Sequence, residues 1–361
     1  MNAMKGWIYR HRRYGKQWLG VAGRVLPAPL ARRLRALAEQ VAFRVVPEYQ
    51  ADTLPAIFDY WAARHVSPLA ERIGVNSPED LFYTQARAIG LNRGCVSIAS
   101  IGSGACSLEL SLLHRLRADG IDARMHCVDF NASLTRRAKH EAELRGLDTW
   151  FTMESFDCNR PFAFGSTDVI IVNQFLHHVE SLEVFAESLR ASLAPDGVLL
   201  TSDVVGRNGH RLWPSVDRIV QSFWERLPEA RRFDRYFSRS TERYVPIDHA
   251  AYSNEGIRSQ DVVASLLTQF DFERFLTFGG AIIPFVERRI GFNFDRGNAS
   301  DTAFIDELAT LDHARIEAGD YPASNMIAML RHKGQVQEPR LFVPVSPEQH
   351  VAATQRQMAL C

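Results

Sequence analysis

Residues 96–110, with the sequence VSIASIGSGACSLEL, decide the fold of this chain. A short apolar run ends at Gly102-Ser103-Gly104, and an apolar, helix-compatible segment begins at Ala105. This pattern predicts a buried strand, a tight turn and a helix. The two glycines let a ligand approach the backbone closely, and the helix start offers free N–H groups and the positive end of its dipole. The turn therefore predicts a site for a nucleotide or a cofactor that contains a nucleoside.

Four further apolar runs follow the turn, and each ends in or before a small or polar residue. They cover residues 125–130 with Asp129, 150–156 before Asp157, 167–172 before Asn173, and 197–201 before Asp203. Helical patterns lie between them at 107–119, 132–145 and 182–193. This alternation predicts a parallel sheet with helices on both faces. Ligands of such sheets lie at the carboxyl ends of the strands, where Asp129 is placed to accept hydrogen bonds from ribose hydroxyls.

The motifs resemble those of the class I S-adenosylmethionine-dependent methyltransferases. Ser100-Ile101-Gly102-Ser103-Gly104 is similar to the first motif of that family. Residues 168–179, DVIIVNQFLHHV, are very similar to its fourth-strand motif, and residues 193–200, LAPDGVLL, resemble the turn before its fifth strand. The resemblance covers roughly residues 90–205. Two positions depart from the pattern, because Ser100 replaces an acidic residue and Cys106 replaces the third glycine.

The resemblance implies an α/β fold with a doubly wound, mostly parallel sheet of seven strands. We expect this Rossmann-like core to carry an N-terminal helical extension and two inserted lid segments. The implied cofactor is S-adenosylmethionine, and the implied cofactor-binding residues are Ser100, Gly102, Ser103, Gly104, Asp129, Phe130, Phe156, Asp157, Asn173 and Gln174. The competing interpretation is a nicotinamide-dependent oxidoreductase, whose Gly-x-Gly-x-x-Gly turn would require a third glycine where this chain has Ser107.

The length of 361 residues allows one large or two small domains. We expect five segments: a basic arm and helical region over 1–92, the cofactor-binding core over 93–205, a lid or substrate insertion over 206–258, the completion of the core over 259–332 with a second insertion at 279–322, and a C-terminal tail over 333–361. Prolines at 339, 344 and 347 predict that this tail runs over the surface as an extended segment.

The first insertion opens with GRNGHRLWP at residues 206–214, directly after the predicted fifth strand. It resembles a segment of a bacterial methyltransferase subgroup whose substrate is poorly defined. Arg207 is a candidate for binding an anionic group of the substrate. His210 is a candidate general base, since an imidazole suits proton removal near neutrality. The alternative is that Asn208 and His210 only tie the loop down.

Two adjacent histidines after the fourth strand raise the same question. His177 and His178 are candidate bases, and the alternative is that one of them packs or caps a helix. Trp213 is a candidate substrate wall, although its helical spacing favours a core residue. The sequence shows no spacing typical of metal ligands, and we expect no metal.

The expected reaction is methyl transfer to an oxygen or nitrogen of a small-molecule metabolite or biosynthetic intermediate, because long insertions suit an enclosed pocket. One alternative is a methyltransferase whose macromolecular or membrane-associated substrate is recruited by residues 1–38, which contain nine basic and no acidic side chains. Another is a non-catalytic Rossmann-like binding protein. Nine of the 42 basic residues lie in the segment 1–38, so the rest of the chain has 33 basic residues against 42 acidic ones. No nucleic-acid partner is therefore expected.

The remaining composition is that of an ordinary globular protein, with 46% hydrophobic and 23% charged residues. Five cysteines without a paired spacing predict reduced thiols and a cytoplasmic protein. No apolar run approaches the ~20 residues of a membrane span, so no transmembrane segment is expected. The N-terminal helices are a candidate surface for a homodimer.

Overall fold

The computed structural model describes residues 53–251, 253–336 and 338–361. The basic arm over 1–38, and with it the predicted recruitment surface, lies outside these residues. The main sheet has eight strands: β1 (Cys95–Ile101), β2 (Asp122–Val128), β3 (Phe151–Glu154), β4 (Thr167–Asn173), β5 (Leu193–Val204), β6 (Phe270–Phe278), β7 (Asn325–His332) and β8 (Leu341–Val343). Their order across the sheet is β8-β6-β7-β5-β4-β1-β2-β3.

The first five strands are all parallel, as the sequence predicts. β7 runs antiparallel to both β5 and β6, and β8 is parallel to β6. The carboxyl ends of β1, β2, β4 and β5 therefore meet at one edge of the sheet, which we call the ligand edge. The sheet has eight strands instead of the expected seven, and the α/β class and the mostly parallel arrangement are confirmed.

Helices connect the strands and build the inserted segments. They are α1 (Ala56–Trp61), α2 (Ser67–Glu71), α3 (Pro78–Arg93), α4 (Ser107–Ala118), α5 (Ala132–Leu144), α6 (Leu182–Ser192), α7 (Pro214–Arg226), α8 (Val262–Gln269), α9 (Ile283–Val286), α10 (Ala299–Glu317) and α11 (Pro347–Met358). One π-helical turn, Ala62–Val66, joins α1 to α2. No helix in the described part of the chain is both long and apolar enough to cross a membrane.

The expectation of an extended C-terminal tail is wrong. Residues 341–343 add β8 to the edge of the sheet, and α11 follows with a capping box between Ser346 and Gln349. Pro347 occupies the first turn of this helix, where its missing N–H is not needed. A proline that suggests an extended tail in the sequence thus starts a helix. The helix buries His350 and Gln357 against the body of the protein.

The two insertions pack together around an apolar core of their own. The largest side chains of this core are Trp213, Trp224, Phe285 and Tyr321, which are at most 2% exposed. Ile57 and Trp61 of α1 join the same core, so this helix packs against the insertions. The boundaries of the five expected segments stay predictions.

Candidate functional site

The turn after β1 leaves its backbone open at one position and covered at another. Gly102 and Gly104 both have left-handed backbone, with φ of 74° and 57°. A Cβ added to Gly104 would meet no atom within 4 Å, whereas one added to Gly102 would lie 2.1 Å from the ring of Phe175. No side chain caps α4, which starts directly after the turn. Open space and uncapped helical N–H groups together suit an anionic or nucleoside-bearing ligand.

Asp129 ties this turn to the next one. Its Oδ2 accepts a hydrogen bond from Gly104 N at 3.0 Å, and its Oδ1 accepts one from Asn131 N at 2.8 Å. Burial raises the pKa of this carboxyl, and the two backbone bonds oppose the rise. Each carboxylate oxygen keeps a second lone pair that a ligand hydroxyl could use. Asp129 therefore lies where the sequence predicts a ribose-binding acid.

The side chain of Ser100, another predicted cofactor-binding residue, is engaged within the protein. Its Oγ donates a 2.8 Å hydrogen bond to Glu109 Oε1, and both residues are buried. Burial raises the pKa of Glu109 to about 7. The sequence analysis missed Glu109, although a carboxylate in the first turn of α4 was a visible signal once Ser100 had replaced the expected acid.

The other predicted cofactor residues lie at or near the ligand edge. Phe130 is 38% exposed, and Phe156 packs on Phe162 with ring centroids 5.5 Å apart. The Oδ1 of Asp157 accepts a hydrogen bond from Asn159 N at 3.0 Å. Ser103 lies within the turn; Asn173 ends β4, and Gln174 follows it with a left-handed φ of 52°. The structure thus places all of these residues at strand ends or in the turns beside them.

A buried carboxylate organises the segment after β4. Asp203, which is 0% exposed, accepts backbone hydrogen bonds from Phe175 at 2.8 Å and Leu176 at 2.7 Å. It also accepts one from His177 Nδ1 at 2.6 Å. Because Nδ1 is held in this way, the Nε2 atom of His177 is directed away from Asp203. The end of β5 therefore fixes both the backbone and the ring orientation at the end of β4.

Glu255 brings three histidines together at the same place. Its Oε1 lies 3.3 Å from His177 Nε2 and 3.7 Å from His210 Nε2. Its Oε2 lies 3.7 Å from His178 Nε2. We call His177, His178, His210 and Glu255 the histidine cluster. All three candidate bases of the sequence analysis belong to it.

The charges in the histidine cluster differ strongly. Burial lowers the pKa of His177, but Asp203 and Glu255 outweigh it and raise the pKa to about 10. Burial lowers the pKa of His210 to about 4 and, together with the positive charge of His177, lowers the pKa of His178. Burial opposes ionisation of Glu255, yet its histidine neighbours hold its pKa well below the usual value. An imidazolium and a carboxylate thus lie beside two neutral imidazoles.

The predicted substrate residues are engaged within the protein. The Nη1 of Arg207 donates to Leu212 O at 2.8 Å. Asn208 and Gln260 exchange two hydrogen bonds of 3.1 and 3.2 Å, which ties the loop down as the alternative interpretation describes. Trp213 is 2% exposed and lies in the core of the insertions. Of the residues predicted in this loop, the structure brings His210 into the histidine cluster.

Two acidic residues of this region were not assigned a role from the sequence. Asp203 was noticed only as the residue that ends an apolar run, and its place at a strand end was the available signal. Glu255 lies in an irregular segment without periodicity or motif, so nothing in the sequence linked it to the histidines. Only the folding of the first insertion brings it there.

Part of the chain matches a known protein family. Residues 100–199 match the family described as a methyltransferase domain. Solved structures with a similar fold include the CMeT domain of the citrinin polyketide synthase, with 18% identity and a TM-score of 0.31 over 42% of this chain and 39% of that one. A geranyl diphosphate methyltransferase in complex with S-adenosylmethionine has 9% identity and a TM-score of 0.41 over 70% and 84% of the two chains.

A putative sarcosine dimethylglycine methyltransferase from Galdieria sulphuraria has 12% identity and a TM-score of 0.40, over 76% of this chain and 96% of that one. This chain spans less than half of the length of the CMeT domain structure. Curated proteins give no match to the sequence.

The strand order defines a Rossmann-like α/β fold, and the glycine turn and Asp129 lie at its ligand edge. Within it, residues 100–199 match the family described as a methyltransferase domain.

Proposed function

We propose that this protein transfers the methyl group of S-adenosylmethionine to a hydroxyl or amine of a small-molecule metabolite or biosynthetic intermediate. The observation that carries the proposal is the histidine cluster, which lies at the ends of β4 and β5 beside the glycine turn. A neutral hydroxyl or amine must lose a proton when it is methylated, whereas a thiolate or carboxylate has none to lose. Proton-accepting groups at this edge therefore favour oxygen or nitrogen acceptors.

The cofactor fits the residues of the ligand edge. The open space at Gly104 and the free lone pairs of Asp129 suit a nucleoside, and Asn173 and Gln174 are the candidates for the methionine part. When bound, S-adenosylmethionine supplies an electrophilic methyl group on its sulfonium centre. The residues of the chain bind and orient both partners, exclude water and accept the proton of the acceptor.

Within the cluster, His177 and His178 differ in their freedom to accept this proton. Both ring nitrogens of His177 are occupied, one by Asp203 and the other by Glu255. The side chain of His178 is 33% exposed, against 4% for His177. We assign proton acceptance to His178 and a positioning role to His177, which holds Glu255 in place. The first insertion supplies His210 and Glu255 to this cluster, which supports an acceptor small enough to fit beside them.

The cofactor part of the proposal is tested by calorimetric titration with S-adenosylmethionine and S-adenosylhomocysteine. Asp129→Asn should weaken binding of both compounds by at least about tenfold, since one oxygen that can bind a ribose hydroxyl is lost. Asp122→Asn is the matched control, because Asp122 starts the same strand at the opposite edge and pairs with Arg117. Equal affinities of the two variants would contradict the assignment of Asp129.

The acceptor part is tested with a panel of phenols, primary amines and thiols, measuring release of S-adenosylhomocysteine. With the best acceptor, His178→Ala should lower kcat by about 100-fold or more and leave cofactor affinity unchanged. His140→Ala is the control, because His140 lies exposed on α5 beside Glu143. Turnover of thiols alone, or full activity of His178→Ala, would contradict the proposed acceptor chemistry.

A further inference from the structure

We propose that His177, His210 and Glu255 form a binding site for a divalent transition-metal ion. Each residue offers one ligand atom, and the three atoms lie within 4.8 Å of one another. Ligands at about 2.0–2.2 Å from a common ion are themselves about 3–4 Å apart. The distances from Glu255 Oε1 to the two Nε2 atoms, 3.3 and 3.7 Å, already fall in this range.

The hydrogen bonds around His177 have the arrangement that is typical of metal-binding histidines. A histidine that ligates a metal through one nitrogen usually donates the other N–H to a carboxylate or carbonyl, which fixes its tautomer and orientation. His177 donates Nδ1–H to Asp203, and Asp203 is itself held by backbone N–H groups of residues 175–177. The Nε2 atom of His177 is therefore presented to the cluster in a fixed direction. A bound metal ion would displace the proton that this atom otherwise shares with Glu255.

His210 supplies an independent observation. Its Nε2 atom is buried and has no hydrogen-bond partner among the described residues. A buried polar atom without a partner is costly, about 1–3 kcal/mol, and native structures contain few of them. The lone pair of a neutral imidazole in this position is a ligand atom, and a cation between it and Glu255 would satisfy it.

The backbone around the cluster holds the three ligands together. Gly209 N donates to Gly256 O at 2.8 Å, and Ile257 N donates to His177 O at 3.0 Å. Gly256 has a left-handed φ of 65°, and a Cβ in its place would lie 2.2 Å from the ring of His210. A glycine is therefore required for the ring to pack here. The segments that carry the three ligands are thus fastened directly to one another.

The donor set selects the class of ion. Two imidazole nitrogens and one carboxylate oxygen suit a first-row divalent ion such as Zn²⁺, Fe²⁺ or Co²⁺, and leave further coordination positions open. The acceptor oxygen could occupy one of these open positions. That role of the metal rests on the proposed function, whereas the metal site itself does not. The competing description is an ion pair between protonated His177 and Glu255 that needs no metal.

The test uses the full chain, freed of metal by a chelator and titrated with Co²⁺ in the absence of S-adenosylmethionine. We expect one bound ion with visible d–d absorption and without the near-ultraviolet charge-transfer band of a thiolate ligand. His210→Ala and Glu255→Gln should each weaken Co²⁺ binding by at least about 100-fold, since each removes a ligand. His126→Ala is the control, because His126 forms a similar but exposed pair with Glu154 at 3.0 Å.

Glu255→Gln preserves the shape of the side chain, and circular dichroism shows whether each variant folds. Absence of Co²⁺ binding to the unmodified chain, binding through thiolates, or equal affinities of the unmodified chain and Glu255→Gln would overturn the metal site. A separate titration with S-adenosylmethionine reports on the proposed function. A protein that binds the cofactor but no Co²⁺ refutes the metal site alone, and one that binds Co²⁺ but no cofactor refutes the proposed function alone.

Discussion

The glycine turn and the histidine cluster lie at the ends of neighbouring parallel strands, yet the sequence encodes them in different ways. The turn is built from the contiguous residues 100–109 and from Asp129 at the next strand end. The cluster is assembled from three distant segments, which follow β4, follow β5 and lie in the irregular part of the first insertion. A contiguous site shows its chemistry as a motif, whereas an assembled site shows it only after folding.

The largest difference between the two regions should appear when their buried carboxylates are removed. Asp203→Ala leaves backbone N–H groups and the His177 imidazole without their acceptor, so we expect a loss of about 3–5 kcal/mol in the free energy of unfolding. Asp129→Ala removes two backbone hydrogen bonds and leaves no histidine without its acceptor, so about 1–3 kcal/mol should be lost. Urea denaturation of both variants measures these values.

A loss for Asp203→Ala no greater than that for Asp129→Ala would contradict the expected difference between the two regions. It would mean that the end of β4 keeps its structure without Asp203. Asp168→Ala provides a reference at the opposite end of β4, where that carboxylate accepts hydrogen bonds from Ser97.

A smaller effect on stability is expected from the buried carboxyl group of Glu109, which lies beside the glycine turn. Glu109 has its pKa raised to about 7 in the folded protein, from 4.5 when unfolded, mainly because it is buried. Between about pH 4.5 and pH 7 the folded state binds more protons than the unfolded state. The contribution of Glu109 to the free energy of unfolding is therefore complete below about pH 4.5 and is lost as the pH rises to about 7. A shift of this size corresponds to about 3 kcal/mol.

Urea denaturation at pH 5 and pH 7.5 compares the unmodified chain with Glu109→Gln. The variant should be more stable relative to the unmodified chain at pH 7.5 than at pH 5, because the amide that replaces the carboxyl group cannot ionise. Glu154→Gln, on the exposed end of β3, is the matched control. The same stability difference at both pH values would show that Glu109 ionises normally in the folded protein.

Two glycines provide a further test of this difference, because one lies in each region and both have left-handed backbone. Alanine at Gly102 meets the ring of Phe175 and at Gly256 the ring of His210. Left-handed backbone alone costs a non-glycine residue about 1–2 kcal/mol, and we expect about 2 kcal/mol or more for each variant. Gly104→Ala is the control without a steric neighbour, and about 1 kcal/mol should be lost.

The readouts that separate the two glycines are ligand titrations of folded protein. Gly102→Ala should weaken binding of S-adenosylmethionine and leave Co²⁺ binding unchanged, and Gly256→Ala should do the reverse. If both variants weakened the binding of both ligands equally, the two regions would have to be treated as one site.

The sequence predicted the parallel core because the information for it is local. Alternating apolar runs and helical patterns placed β1 to β5 and the turn at Gly102 and Gly104 close to their observed positions. Ser100 was assigned to the cofactor although its hydroxyl is bound to Glu109, since the motif does not show which side chain accepts that bond. Glu255 was not found, because no periodicity or spacing connects an irregular loop to a histidine at the end of a strand.

The C-terminal segment shows the same limit on a smaller scale. Ser346-Pro347-Glu348-Gln349 contains a capping box that is local and visible, but prolines at 339 and 344 favoured an extended chain. What holds α11 in place is remote: Gln357 donates to Ser215 Oγ and to Asp320 O, both at 2.8 Å. These partners lie in the two insertions, so α11 supports the part of the molecule that builds the histidine cluster.

The smallest loss of stability is expected when the cap of α11 is removed. This cap is encoded locally, whereas the contacts that hold the helix in place are remote in the sequence. Ser346→Ala removes the hydroxyl that accepts from Gln349 N, and about 1 kcal/mol of stability should be lost. Ser107→Ala is the control, because Ser107 begins α4 without acting as its cap. Neither change should alter the affinity for S-adenosylmethionine. If Ser346→Ala instead weakened Co²⁺ binding in folded protein, the cap would be coupled to the histidine cluster through α11, and the assembled site would extend to the end of the chain.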